Sequence, residues 1–311
     1  MSPPAVIHGR VDISPFVSAA ITSRRPVVAL ETTVVTHGLP HPEGVEAAAR
    51  LEADVVANGA VPATVGVLDG RVRVGLSRAE LERLATSPDT EKLNLSNLAA
   101  QVAAGRPGST TVAATLAIAA WAGIRVFATG GIGGVHRGAE ASGDVSADLH
   151  ALARYDVAVV CAGAKAMLDL PRTVEMLETL VVPVYGFGAD EFPAFYRRGS
   201  GLKVDRRFDD LEALARAIET HHGLGLATGI VVANPIPAEF EMPRELYEGA
   251  LAAALAEAAS QNVRGRAVTP FLLDRIRALT EGRSVFSNLA LLSHNARLAA
   301  TLAVALARGA S

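Results

Sequence analysis

Lysine is scarce in this chain, and the position of one lysine suggests amine chemistry. Lysines and arginines together number 29, and only Lys92, Lys165 and Lys203 are lysines. Arginine therefore fills the ordinary surface roles. The few lysines are then more often found where the chemistry needs an amine, for example as a nucleophile. Lys165 follows the apolar run VAVVCA among small residues, where desolvation would favour a neutral amine that can attack a carbonyl carbon. A lysine that lays its stem on apolar surface is the open alternative.

Carboxylates at two places are candidates for proton transfer and metal binding. Glu31 interrupts an apolar run, where a carboxylate must be paired, hydrogen-bonded or protonated. A raised pKa there would suit a general acid, and a structural carboxylate bonded to backbone amides explains the position equally well. Asp144 and Asp148 are four residues apart, so a helix would place both on one face, where Mg²⁺ or Mn²⁺ would relieve their repulsion. Helix-dipole and solvation effects also account for this pair.

Polar residues on a glycine-rich loop form a third candidate. The loop TGGIGGVHRG (129–138) matches neither GxGxxG nor the Walker A motif, which argues against a nucleotide cofactor. Its His136 and Arg137 could face an anionic ligand, or could simply be hydrogen-bonded. Further along, Asn288 could supply an amide hydrogen bond, although a capping role explains it as easily. The histidines show no spacing typical of zinc ligands.

Composition places the chain among folded globular proteins and argues against several partners. The 311 residues are 50% hydrophobic and 20% charged, and a net charge of −3 lacks the basic excess that nucleic-acid binding requires. The single cysteine, Cys161, excludes an internal disulfide framework and fits a reducing compartment. Residues 1–25 carry no continuous apolar signal segment. The uncharged stretch 107–124 is too rich in Ala, Thr, Gly and Ser for a membrane span, so we expect a buried helix there.

Short apolar runs alternate with helical patterns along most of the chain. Strands are predicted at 26–34, 124–129, 157–162, 182–187 and 229–235, and helices at 43–58, 111–122, 147–155, 173–180, 208–221, 243–260, 270–281 and 286–308. Asp69-Gly70 predicts a hairpin, and Ser77 with Glu80 predicts a capping box for the helix that follows. This order is typical of an α/β fold, three-layer α/β/α with a largely parallel or mixed central sheet. No linker divides the chain, which predicts a single domain over 1–311, with 1–25 as an N-terminal extension.

The ends of the predicted strands bring the chemical candidates together. In such a sheet, the loops at the carboxyl ends of the strands gather into the ligand crevice. Glu31, the loop 129–138 and Lys165 all follow predicted strands. We therefore expect these residues to share one site.

Ten segments between Val27 and Leu306 form a specific combination. They are ALETTVVTHGLPHP, NGAVPATVGVLDG, GSTTVAATLAIAAWAGIRVFATGGIGGVHRG, SGDVSADL, VVCAGAKAMLDLPRTVEMLET, VPVYGF, FPAFYRRGSG, VVANPIP, VTPFLL and SNLALLSHNA. In this combination the chain resembles the pseudouridine-5'-phosphate glycosidase family, also described as indigoidine-synthase-A-like.

The resemblance implies an activity and a set of roles. It implies a homotrimeric, cytoplasmic enzyme, a lyase of the hydro-lyase type, that reversibly splits pseudouridine 5'-phosphate into uracil and ribose 5-phosphate. It implies that Lys165 is the Schiff-base nucleophile, Glu31 the proton donor and Asp144 the protein ligand of a divalent metal, typically Mn²⁺. The residues that it implies for substrate binding are Lys92, Val112, Ser146, Ala147, Asp148, His136 and Asn288.

Two departures and two alternatives accompany the resemblance. After the lysine that matches Lys92, relatives usually carry Arg-Arg-Asp, whereas this chain reads EKLNLSNLAA from Glu91. No fused sugar-kinase domain is present in the sequence, so the pseudouridine kinase of the pathway would be a separate protein. An aldolase or a pigment-pathway homologue could use the same lysine chemistry on a related phosphosugar. A sugar-phosphate binding module would hold the ligand without covalent capture.

Overall fold

The computed structural model describes residues 9–39, 41–263 and 268–309. Within them, eleven strands form a mixed sheet. In chain order the strands are β1 (Val11–Ile13), β2 (Val27–Leu30), β3 (Val61–Leu68), β4 (Arg71–Val74), β5 (Glu91–Leu93), β6 (Gly108–Thr110), β7 (Val126–Ala128), β8 (Ala158–Cys161), β9 (Val184–Phe187), β10 (Arg206–Phe208) and β11 (Ile230–Ala233).

Helices cover both faces of this sheet. They are α1 (Pro15–Thr22), α2 (Glu43–Ala57), α3 (Arg78–Thr86), α4 (Leu98–Ala103), α5 (Val112–Trp121), α6 (Ala139–Ser142), α7 (Ala147–Leu152), α8 (Leu170–Thr179), α9 (Leu211–Gly223), α10 (Arg244–Ser260), α11 (Val268–Leu279) and α12 (Arg283–Gly309), with a π-helical turn at Val34–Gly38 and a 3₁₀ turn at Ala238–Phe240.

The strand order confirms a largely parallel, mixed sheet. The strands lie in the order β1-β4-β3-β2-β7-β8-β11-β9-β10. Outside this order, β6 also pairs with β3, and β5 pairs with β6. Neighbouring strands are parallel except where β3 meets β4 and β6. The centre, β2-β7-β8-β11, is wholly parallel, so its carboxyl ends open at one edge.

Alternation along the central strands divides the core into two layers. Val28 and Leu30 of β2 belong to the core that α2, α9, α10, α11 and α12 cover. Val27 and Ala29 of the same strand belong to the core that α1, α5, α7 and α8 cover. Since successive side chains of a strand point to opposite faces, this is the predicted three-layer α/β/α arrangement.

Local signals at the β3–β4 turn and at the start of α3 behave as predicted. Asp69 and Gly70 both have positive φ, 53° and 69°, as a tight hairpin with these residues requires. The Ser77 hydroxyl accepts from the Glu80 backbone N–H at 3.3 Å, and the Glu80 carboxylate accepts from the Ser77 N–H at 2.8 Å. This reciprocal pair satisfies two backbone donors at the start of α3.

Two predictions near the first strands differ from the structure. Part of the segment treated as an N-terminal extension belongs to the fold, since β1 pairs with β4 and α1 buries Val17 and Ala20. The strand predicted to run through Val34 ends at Leu30. The reason is that the next polar side chains bond elsewhere: the Thr32 hydroxyl donates to the Val65 carbonyl at 2.7 Å. The chain then turns into the π-helical segment instead of continuing the sheet.

Apolar helices in this fold are core helices. The stretch predicted to be buried forms α5, whose residues 112–119 are all buried. Among the described residues, α12 is the helix that is long and apolar enough to cross a membrane, but 67% of its apolar window is buried inside the protein. It packs against α2, α9 and the central strands, as a core helix does.

Candidate active site

A pocket of about 580 Å³ opens where the central parallel strands end. Glu31 directly follows β2, Thr129 directly follows β7, and Lys165 lies on the loop after β8. The pocket is lined by Glu31, Thr33, Val34, His37, Gly38, Lys92, Thr129, Gly130, Gly131, Lys165, Phe195, Pro270, Leu273, Asn288 and Leu292. The structure therefore brings together four of the residues singled out from the sequence, namely Glu31, Lys92, Lys165 and Asn288.

Two of the chain's three lysines meet in this pocket. Both Lys92, on β5, and Lys165 are half-buried. Burial lowers the pKa of Lys92, the charge of Lys165 lowers it further, and the carboxylates of Asp148 and Glu31 oppose the shift. The site thus holds two amines and two carboxylates close enough to influence one another, which suits proton transfer around a nucleophilic amine.

Glu31 has the environment of a general acid. Burial raises the pKa of Glu31, and the nearby carboxylate of Asp148 adds to the effect. The charge of Lys165 and a hydrogen bond from the Thr129 hydroxyl act in the opposite direction. Because the shift favours the protonated form, Glu31 is suited to hold a proton and give it to a substrate oxygen.

Thr129 is held in position by a buried amide pair. Its backbone N–H donates to the Val160 carbonyl at 3.1 Å, and its own carbonyl accepts from the Asn295 side chain at 2.8 Å. The Asn295 side-chain oxygen accepts in turn from the Asn234 amide at 2.9 Å. Asn295 is only 1% exposed. Helix α12 therefore fixes the residue whose hydroxyl meets Glu31.

We expect Asn295→Ala to lower the free energy of unfolding by about 2–4 kcal/mol, because it leaves the buried Thr129 carbonyl and Asn234 amide without partners. Thr301→Ala on the same helix is the matched control, since its hydroxyl bonds, within the described part of the chain, to two carbonyls of its own helix. Chemical denaturation of both variants measures the difference. Equal stability of the two variants would show that the amide pair contributes nothing.

Asp148 is a buried carboxylate held by backbone amides. It is 5% exposed, and its two oxygens accept from the N–H groups of Ala113 and Gly133 at 2.8 and 2.7 Å. A Cβ on Gly133 would lie 2.2 Å from the Ser146 hydroxyl, so only glycine permits this approach. The arrangement fixes a negative charge that acts on both Glu31 and Lys92.

Other residues predicted to bind substrate stand around this carboxylate. Val112 is the buried first residue of α5, and Ala147 is the first residue of α7. Ser146 caps α7 by accepting from the Asp148 N–H at 3.2 Å. The structure places all three beside the pocket rather than in its lining.

Asp144 and Asp148 do not share a helix face, so that prediction is wrong. Ser146 begins α7, which leaves Asp144 outside the helix. The Asp144 carboxylate instead lies 3.9 Å from the His136 ring, and it opposes the lowering of the His136 pKa that burial causes. In the described parts of the chain, no group of three or more His, Cys, Asp or Glu side chains is placed to hold a metal ion. Arg137 donates to the Met167 carbonyl at 3.3 Å, which gives it a protein partner.

His37 and Asn295 are site residues that the sequence did not single out, whereas Thr129 lies at the start of the loop 129–138 that was expected at the site. His37 was passed over because the histidines were searched for zinc spacing, although it lies shortly after a strand end, where site residues were expected. Asn295 gave no usable signal, since it sits inside a long helical pattern.

Comparison with known proteins gives a consistent result. The sequence profile of the family described as Indigoidine synthase A like protein matches residues 16–305. A protein of Methylobacterium nodulans named pseudouridine-5'-phosphate glycosidase is 55% identical over 303 residues, which cover 97% of this chain and 90% of the relative. A protein of Caldanaerobacter subterraneus subsp. tengcongensis with the same name is 52% identical over 296 residues, covering 95% and 96%.

Two solved structures are similar to this chain in fold as well as in sequence. The prealnumycin C-glycosynthase AlnA, solved in complex with ribulose 5-phosphate, superposes with a TM-score of 0.90 at 36% identity. An indigoidine synthase A-like protein from Thermotoga maritima superposes with a TM-score of 0.87 at 36% identity. Each alignment covers 97% of this chain and 98% of the other.

Proposed function

Because the chain belongs to the indigoidine synthase A-like family, we propose that it cleaves the C–C glycosidic bond of pseudouridine 5'-phosphate, reversibly, to give uracil and ribose 5-phosphate. The names of the relatives at 52–55% identity support this reaction. The observation that carries it in this chain is the meeting of Lys165 and Glu31 in one pocket at the strand ends. The reverse reaction releases water, which places the enzyme among lyases of the hydro-lyase type.

The C–C glycosidic bond of this substrate explains why an amine nucleophile is needed. Ordinary glycosidases protonate an oxygen or nitrogen that leaves the anomeric carbon, but here a carbon atom of uracil is attached to C1'. Opening the sugar ring lets a lysine amine bond to C1' in place of the ring oxygen. The nitrogen lone pair can then form an imine with C1' while the C–C bond breaks and C5 of uracil takes a proton, in a retro-Mannich-like step.

The proposed roles follow from the pocket. Glu31, protonated because of its raised pKa, gives its proton to the ring oxygen of ribose. Lys165 attacks C1' and forms the covalent adduct. After the C–C bond breaks, water hydrolyses the imine and releases ribose 5-phosphate. Asp148 is the proposed proton shuttle, since its fixed charge acts on Glu31 from beside the pocket.

Substrate binding is assigned to the remaining residues of the predicted set. Lys92 and Asn288 line the pocket, so both can contact the substrate directly. The other proposed contacts are Val112, Ser146, Ala147 and His136.

We propose that Asp144 holds a divalent cation, Mn²⁺ in the first place. One carboxylate with an imidazole 3.9 Å away fits a cation that keeps most of its water, as Mg²⁺ and Mn²⁺ commonly do. When bound, the cation would supply positive charge for substrate oxygens and water. Asp144 would be its protein ligand, and water would fill the other positions.

We expect Asp144→Ala to lower activity by roughly 10- to 100-fold, a loss typical of weakened metal affinity. Excess Mn²⁺ should restore part of the activity. Asp209→Ala is the control, since this exposed carboxylate pairs with Arg207 away from the pocket. Indifference of the parent enzyme to both chelator and Mn²⁺ would contradict a metal role.

The family resemblance also supports a homotrimer in the cytoplasm, served by a separate pseudouridine kinase. Light scattering tests the assembly, since a trimer has three times the 32.2 kDa of the chain. A monomer or dimer at micromolar concentration would contradict it.

A product assay tests the reaction itself. Purified protein with pseudouridine 5'-phosphate should release uracil and ribose 5-phosphate in equal amounts, as followed by chromatography against standards. Supplying uracil with ribose 5-phosphate should regenerate the C-nucleotide. Failure to release uracil from the C-nucleotide would contradict the proposed reaction.

A further inference from the structure

His37 lies in the wall of the pocket without an assigned role. The π-helical turn Val34–Gly38 brings its ring beside the pocket that Glu31 and Lys165 line. The ring also borders an adjoining pocket that Asp274 and Arg277 of α11 line. Single-turn π-helical segments are frequent at functional sites, because they turn a side chain away from the regular helical direction. His37 can therefore reach a substrate in either pocket.

The hydrogen bonds around the ring allow its proton to sit on Nδ1. The Nδ1 atom lies 2.6 Å from the Thr36 hydroxyl and 3.3 Å from the Ser109 hydroxyl. The Thr36 hydroxyl can give its proton to the Ser109 oxygen at 2.8 Å or to the Thr32 carbonyl at 3.4 Å. Its oxygen can then accept from Nδ1–H, in the tautomer that leaves Nε2 able to act as a base.

The other ring nitrogen is left as an acceptor. Nε2 of His37 has no hydrogen-bond partner within residues 9–39, 41–263 and 268–309. Burial lowers the pKa of His37, and the charge of Lys92 lowers it further, so both effects favour the neutral ring. The charged groups that share its two pockets are Glu31, Lys92, Lys165, Asp274 and Arg277.

We propose that His37 is a further catalytic residue, the base that takes the N1 proton of uracil while the sugar ring opens. This role rests on the proposed function. Glu31 gives its proton to the ring oxygen, and the bond from C1' to that oxygen breaks with its electrons on the oxygen. The N1 lone pair of uracil moves through C6 and C5 to form a double bond from C5 to C1', and N1 releases its proton to Nε2 of His37.

The next step returns both protons. The Lys165 amine adds to C1', and the electrons of the C5–C1' double bond move back to N1. N1 then takes its proton from His37, and the new ammonium on Lys165 gives one proton to the Glu31 carboxylate. Every proton and electron pair is accounted for, and both His37 and Glu31 are ready for a second transfer.

The other groups of the pocket are less suited to this step. Glu31 is the donor in the same event, Lys165 is the nucleophile, and Lys92 is the residue proposed to bind the substrate. Asp148 is the proposed shuttle for Glu31 and is not part of the pocket lining. His37 is the neutral nitrogen base that remains in the described lining.

The test separates the uracil half of the reaction from the sugar half. His37→Asn keeps an amide near the Nδ1 position, where it can still bond Thr36, and removes the Nε2 base. Turnover of pseudouridine 5'-phosphate should fall about 10²- to 10⁴-fold, the usual loss for a proton-transfer group. Borohydride trapping of ribose 5-phosphate on Lys165, which involves no uracil, should stay within about twofold of the parent. His294→Asn, another half-buried histidine whose pKa burial lowers, should change neither.

Each other result has a definite meaning. Full turnover by His37→Asn would overturn the proposal. Equal losses of turnover and trapping would overturn it as well, since His37 would then serve the sugar half or the shape of the pocket. If the parent protein neither turns over the C-nucleotide nor traps ribose 5-phosphate, the proposed function fails first, and the role of His37 fails with it.

Discussion

Lys165→Ala is expected to abolish turnover of pseudouridine 5'-phosphate, by at least about 10³-fold in kcat, without unfolding the protein. The amine is the only part of the residue that the reaction uses. Its side chain makes no hydrogen bond or ion pair with the described residues, whereas its backbone N–H donates to the Ile132 carbonyl at 2.9 Å and keeps that bond in the variant. The fold therefore loses little.

Covalent capture identifies the amine. Ribose 5-phosphate with borohydride should leave a stable mass adduct on Lys165 of the parent and none on Lys165→Ala or Lys165→Arg, the second of which keeps the positive charge. Lys203→Ala is the control lysine and should trap normally, because Lys203 lies away from the pocket lining. An adduct on Lys92 would move the nucleophile to the neighbouring amine, whose pKa burial lowers.

The position of the site was predictable from the sequence because it follows from strand ends. Glu31 and Lys165 each come after an apolar run, and parallel strands must open at one edge of the sheet. Alternation of strands and helices was enough to give the three layers. Neither inference needed knowledge of any long-range side-chain contact.

The parts that were missed depend on contacts the sequence does not encode locally. Strands β5, β6 and β10 have three residues each, too few to show a period of two. The Asn295 side chain reaches the Thr129 carbonyl across 166 positions of sequence. The π-helical turn that carries His37 arises because Thr32 and Thr33 hydroxyls bond to carbonyls of other strands.

The pair Asp144 and Asp148 shows how a spacing rule can mislead. Four residues bring two side chains to one face only if the helix already includes the first of them. Here Ser146 accepts the N–H of Asp148 and begins the helix between the two carboxylates. Because the helix starts after the Ser146 cap, Asp144 lies outside it and does not share a face with Asp148.

Glu31→Gln is the second large effect expected, a fall in kcat of about 10²- to 10⁴-fold. Glutamine keeps the shape of the side chain and can still accept from the Thr129 hydroxyl, so the pocket stays formed. What it cannot do is give a proton to the ring oxygen. Asp209→Asn, a matched carboxylate-to-amide change on the surface, should leave kcat unchanged.

The pH profile ties this loss to the acid. An acid works only while it is protonated, so activity of the parent should be lost as pH rises through the raised pKa of Glu31. Thr129→Val removes a donor that stabilises the carboxylate form, which should raise the pKa of Glu31 further and move this alkaline limb to higher pH. In Glu31→Gln the limb should vanish from the residual activity. If the limb stays in place in both variants, another group controls it, and the proton of the ring oxygen comes from elsewhere.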